Sequence, residues 1–159
     1  MHPNAFLIYN LLLIVIFSII VNSNNSFTLV YISFYCFFHF LIIYLGIYYY
    51  RSSLYIIFFL YGLGLDILWL NEIGPHLVVF ISMLFFFKLS IKYWYNLNSY
   101  KVYFAIIILQ IIMISLEIFF SYFLFQYSVN LNYFLQIFFM SILLSLPTFS
   151  FFIYIDKIK

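Results

Sequence analysis

The sequence predicts an all-α integral membrane protein, a bundle of six transmembrane helices, and three observations carry that prediction. Hydrophobic residues make up 69% of the chain and charged residues only 6%, whereas a soluble domain carries about 25% charged residues to face water. The apolar residues gather into six runs, most near the roughly 20 residues that a helix needs to cross ~30 Å of hydrocarbon. Runs of this length exceed the about 9–11 alternating residues of a barrel strand. The same composition excludes a disordered chain, which needs low hydrophobicity and high charge. A net charge of +2 spread over scattered basic residues builds no nucleic-acid surface, which requires a clustered patch. The single cysteine, Cys36, excludes an internal disulfide and any Cys-rich metal site.

The runs cover approximately residues 5–21, 27–50, 54–70, 77–93, 102–126 and 131–155. Polar residues from Asn22 to Ser26 close the first. It lacks a basic leader and a small-residue cleavage site, so it is expected to be an uncleaved span rather than a secretory signal. Arg51, Ser52 and Ser53 close the second run, and Asn71 to His76 close the third with a Gly-Pro bend. Trp94 to Lys101 separate the fourth from the fifth, and Tyr127 to Asn130 precede the last. No repeat, linker or second domain is visible, so residues 1–159 are expected to form one membrane domain.

Charge sets the expected orientation. With six spans, Arg51, Lys88, Lys92, Lys101, Lys157 and Lys159 all fall on the side of the two termini. Cytoplasmic loops are enriched in Lys and Arg, so both termini are expected in the cytoplasm. Lys88 lies inside the fourth run, but its long stem can lift the ammonium to the inner interface. Tyr48, Tyr49, Tyr50, Tyr93, Tyr95, Tyr100, Tyr127, Tyr133 and Tyr154 cluster near run ends, where an amphipathic ring prefers to sit.

The polar residues within the runs are the candidates for function. Glu117 lies about nine residues, or ~14 Å, from the outer end of the fifth run. Gln110, Glu117 and Ser121 share one helical stripe. A central carboxylate must face the bundle and find a partner. With no basic partner expected nearby, it reads first as a neutral carboxyl hydrogen-bonded to a neighbouring span, and second as a proton or substrate site. Asp66 lies about four residues, or ~6 Å, below the outer end of the third run. Gly62, four residues earlier on the same face, allows a neighbouring helix to come close, and Trp69 can seat its ring at the interface. The spacing of Asp66, Glu72 and His76 across a turn fits no recognised ligand pattern. Ser33, Cys36 and His39 form a stripe on the second run that reads as bundle-facing packing. Ser141, Ser145 and Thr148 line one face of the last run, where Pro147 is expected to interrupt the helix and the hydroxyls to satisfy freed carbonyls. No nucleophile elbow, phosphate loop or zinc pattern is present, so no catalytic residue and no cofactor is expected.

Gly62, Asp66 and Gly74, within Phe59 to Gly74, resemble the signature of the MreD family of bacterial rod-shape-determining membrane proteins: a Gly, an Asp four residues on near the end of a span, and a Gly eight residues later. Length, six runs, a basic stretch between the fourth and fifth, and a last run with Pro147 before a basic tail fit the same pattern. Family members often have prolines flanking the second span, where this chain has Val30-Tyr31 and Ile47-Tyr48. Phe, Tyr, Ile and Asn are abundant while Ala occurs twice and Arg once, an imprint of AT-rich codons that erodes such positions. The resemblance implies a six-helix bundle similar to the substrate-binding subunits of energy-coupling-factor transporters. It also implies a non-catalytic subunit of the cell-elongation machinery in the bacterial inner membrane. Its partners would be the single-span MreC and, through it, MreB, RodA and a class B penicillin-binding protein. The alternatives are a substrate-binding subunit of a vitamin transporter and a small hydrophobic subunit of a respiratory complex, with Glu117 relaying protons.

Overall fold

The computed structural model describes residues 3–22, 28–70, 74–95, 99–126 and 130–157. They form six helices: α1 (Pro3–Asn22), α2 (Thr28–Tyr48), α3 (Leu54–Leu70), α4 (Pro75–Tyr95), α5 (Ser99–Phe125) and α6 (Leu131–Lys157). No strand occurs among the described residues. Four stretches are long and apolar enough to cross a membrane: Leu29–Tyr48, Pro75–Trp94, Tyr100–Phe125 and Leu131–Asp156. In α1 and α3 the described apolar stretches, Phe6–Asn22 and Leu54–Ile67, are shorter. The chain is a helical membrane protein.

The helices are apolar on every side, which is the pattern of a segment surrounded by either protein or lipid. α5 shows how the two sides divide. Its buried stripe holds Val102, Ile106, Gln110, Met113 and Glu117, while Phe104, Ile108, Ile112, Phe119 and Phe123 stand exposed on the other side. Gln110 and Glu117 face inward among apolar side chains, and large apolar side chains stand outward, unlike a soluble helix. Gln126, just past the end of α5, takes a left-handed backbone conformation (φ 57°) and donates its N–H to the carbonyl of Tyr122 at 2.9 Å. That geometry closes a helix by using one of its last free carbonyls.

Two compact units divide the chain, one of residues 1–41 with 131–159 and one of residues 42–130. In the first, buried Phe152 of α6 is ringed by aromatics. Tyr9 meets it edge-on at 5.2 Å, and Phe37 and Phe40 stack on it at 5.9 and 5.8 Å. The Tyr9 hydroxyl donates to Asp156 at 2.7 Å, so α1 is tied to the last turn of α6. Further along, Ser141 Oγ donates to Cys36 Sγ at 3.3 Å, and the thiol faces the Ile137 carbonyl at 3.6 Å. His39 gives its Nδ1 hydrogen to the Tyr35 carbonyl of its own helix at 2.8 Å and is fully buried. Cys36 and His39 are thus buried and hydrogen-bonded inside the unit, and Ser33 is bonded to its own Leu29 carbonyl.

Pro147 does not interrupt α6, contrary to the sequence expectation; it lies inside a continuous helix. A proline takes away only one N–H, that due to the carbonyl four residues back. Around the gap, Ser145 Oγ donates to Ile142, and Thr148 Oγ1 to Leu144 and Ser145. These hydroxyl bonds give neighbouring carbonyls a second donor where water has no access.

In the second unit, α3 packs on α4 and α4 on α5. Two glycines make the room. A Cβ on Gly46 would run into the buried ring of Phe87. A Cβ on Gly62 would stand 2.7 Å from Cα and 3.0 Å from N of Leu77, so α3 and the first turn of α4 touch backbone to backbone. Backbone cannot rotate aside as a side chain can. Gly62→Ala is therefore expected to push α4 away and to cost about 1–3 kcal/mol, read as a lower unfolding temperature in detergent or nanodiscs. An unchanged unfolding temperature would contradict the close approach.

Candidate functional site

The start of α4 is the most polar buried point of the second unit. The first N–H groups of any helix lack intrahelical acceptors, and in hydrocarbon each unsatisfied group costs several kcal/mol. Gly74 accepts the first intrahelical bond, from the Val78 N–H at 3.2 Å, and so stands at the capping position. A glycine there has no side chain to cap with. Pro75 follows and has no N–H to satisfy, a favoured first helical residue.

Asp66 of α3 takes over the capping. Its Oδ2 accepts the N–H of Gly74 at 2.9 Å and of Leu77 at 3.0 Å, and its Oδ1 accepts the N–H of His76 at 3.0 Å. With Pro75 contributing no hydrogen, every N–H from Gly74 to Leu77 is used. The carboxylate also sits at the positive end of the helix dipole. Gly62, one turn earlier on α3, lets the backbone of α4 come within reach. Gly74 is small for a second reason: a Cβ there would stand 2.7 Å from the ring of Phe125. Gly62, Asp66 and Gly74 thus converge on one junction; the sequence placed Gly62 and Asp66 on a shared face, and Gly74 joins them from the start of α4.

His76 adds what the sequence left open. Its Nδ1 lies 2.8 Å from Asp66 Oδ1, and its Nε2 lies 3.9 Å from Glu117 Oε2. Imidazole and both carboxylates are buried. The ring meets Phe80 edge-on at 6.5 Å, and Phe80 meets Phe58 at 6.2 Å, so aromatic packing walls the group. The expectation of a Glu117 with no basic group near it is corrected here. Its neighbour comes from α4, 41 residues away, and nothing in the local sequence announces it. Gln110 is buried on the same helix face as Glu117, and Ser121 is half-buried. Glu72 lies outside the described residues, as does the side chain of Trp69. Pro147 belongs to the other unit and is placed by α6 alone.

Asp66 accepts three backbone N–H groups on its two oxygens, and its Oδ1 also faces His76 Nδ1. A hydrogen on Nδ1 gives that contact its donor. The chemistry available is that of a carboxylate orienting an imidazole through Nδ1, with a second carboxyl facing Nε2.

Compared with protein-family models, curated proteins and solved structures, the chain matches none.

Asp66→Ala is expected to strip the cap from three N–H groups in apolar surroundings and to cost ~3 kcal/mol or more. The apolar helices should still insert. Asp66→Asn keeps one acceptor oxygen but turns an NH₂ toward the other pair of donors, and should fall between Ala and wild type. Unfolding temperatures of the three proteins in nanodiscs give the order; equality of Asn with wild type would remove the argument from the second oxygen.

Proposed function

We propose that the chain is a non-catalytic scaffold subunit of the bacterial cell-elongation machinery, of the MreD type, with six membrane spans and both termini in the cytoplasm. In this reading it associates with an MreC-like single-span protein in the inner membrane. It thereby helps couple cytoplasmic MreB to peptidoglycan synthesis by RodA and a class B penicillin-binding protein.

The observation that supports this reading is the convergence of Gly62, Asp66 and Gly74. The three residues that carry the resemblance are those that build the α3–α4 junction, each for a separate physical reason: close approach, capping, and a donor without a side chain. The rest of the surface suits a scaffold. Exposed Phe85, Phe86 and Leu89 on α4 and Phe119 and Phe123 on α5 offer apolar helix faces to lipid or to a partner span.

Two experiments test the reading. Tagged protein coexpressed with an MreC-like protein and extracted in mild detergent should bring it down, and Asp66→Ala should lower that yield relative to the chain remaining in the membrane. Copurification with a transport ATPase instead would favour a transporter subunit. For topology, single cysteines in a Cys36→Ser background at Ser26, Glu72 and Val129 should label from outside the cell, and one at Lys159 should not. Labelling at Lys159 from outside would overturn the orientation.

A further inference from the structure

We propose that His76 and Glu117 form a binding site for one exchangeable proton, oriented by Asp66. The argument begins with hydrogen accounting. Three backbone N–H groups donate to Asp66, and a hydrogen on His76 Nδ1 supplies a fourth donor that completes the carboxylate's lone pairs. Proton exchange at His76 is thereby confined to Nε2, the atom that faces Glu117 Oε2 at 3.9 Å. Asp66 from α3 and Glu117 from α5 face the ring; on α4 itself Lys88 lies twelve residues on, or ~18 Å along the axis.

One proton has two places in this pair. On Nε2 it makes an imidazolium beside a carboxylate; on Oε2 it leaves a neutral imidazole beside a carboxyl. With Asp66 the site carries one negative charge either way. Removal of the proton leaves two carboxylates around a neutral ring in a buried, aromatic-walled space, an arrangement that low dielectric penalises. The fold thus holds a proton where it neutralises one of two buried charges. The proton also links α5 to the capped start of α4, because it creates the attraction or the hydrogen bond between His76 and Glu117. This is independent of which partner the chain has, since every group belongs to the chain itself.

The test uses the full-length protein in lipid nanodiscs. Nitrogen-15 NMR of the histidines, with His76 assigned by elimination in His2→Gln and His39→Gln, follows each ring nitrogen across pH. Infrared difference spectra against Glu117→Gln isolate the Glu117 carboxyl band. Nδ1 of His76 is expected to stay protonated throughout, while the Nε2 signal and the Glu117 band titrate together as one coupled step. Glu117→Gln should displace the His76 midpoint by about one pH unit or more. Independent titration of the two signals, or no titration of either between about pH 4 and 10, would overturn the proposal. So would a His76 midpoint unmoved by Glu117→Gln. If that variant does not fold, Glu117→Asp supplies the difference spectrum and the coupled step in the wild-type protein decides alone.

Discussion

A helix that begins inside an apolar environment must find acceptors for its first N–H groups, and α4 finds all of them on one side chain. That constraint explains the residues around it. Asp66 must be a carboxylate, since only two oxygens with free lone pairs can accept from Gly74, His76 and Leu77 together. Pro75 lowers the number of donors to be satisfied, and Gly62 brings the acceptor within reach. The junction joins α3 to α4 through hydrogen bonds that water cannot replace, so it is both strong and directional. α5 then packs on α4 with Glu117 facing the histidine that the cap has fixed.

The two compact units use polar groups differently. Around Phe152 the packing is aromatic, and Tyr9–Asp156 is the polar tie between α1 and α6. Cys36 and Ser141 bond within that unit at buried positions and hold α2 to α6. At the α3–α4 junction the polar groups are charged or chargeable and sit together. The buried carboxylates Asp66 and Glu117 and the histidine between them lie in residues 42–130.

Much of this was legible in the sequence because run length alone marks membrane-scale helices. The helices extend past some of the runs: α4 starts at Pro75 and α5 at Ser99, since helix continues into polar residues that hydropathy leaves out. The Gly62–Asp66 face was legible from helical spacing. The cap itself had a signal too, because a Gly-Pro start supplies no capping side chain of its own and points to an acceptor elsewhere. Glu117–His76 and Tyr9–Asp156 were not legible. Their partners lie 41 and 147 residues apart, and helices apolar on every side give no periodicity from which to read which face meets which neighbour. The uninterrupted path of α6 through Pro147 was missed for a related reason, because a single lost hydrogen bond is tolerated where packing and nearby hydroxyls hold the helix. A composition driven toward Phe, Ile and Tyr leaves few positions that distinguish one apolar bundle from another.

Amide hydrogen exchange at the start of α4 tests the central claim most directly. With the wild-type protein in nanodiscs, the N–H groups of Gly74, His76 and Leu77 are predicted to exchange as slowly as those of Val79 and Phe80 in the helix interior, because Asp66 holds all three. Exchange at the rate of a frayed, uncapped helix end would contradict the cap and, with it, the account of how α3, α4 and α5 are joined.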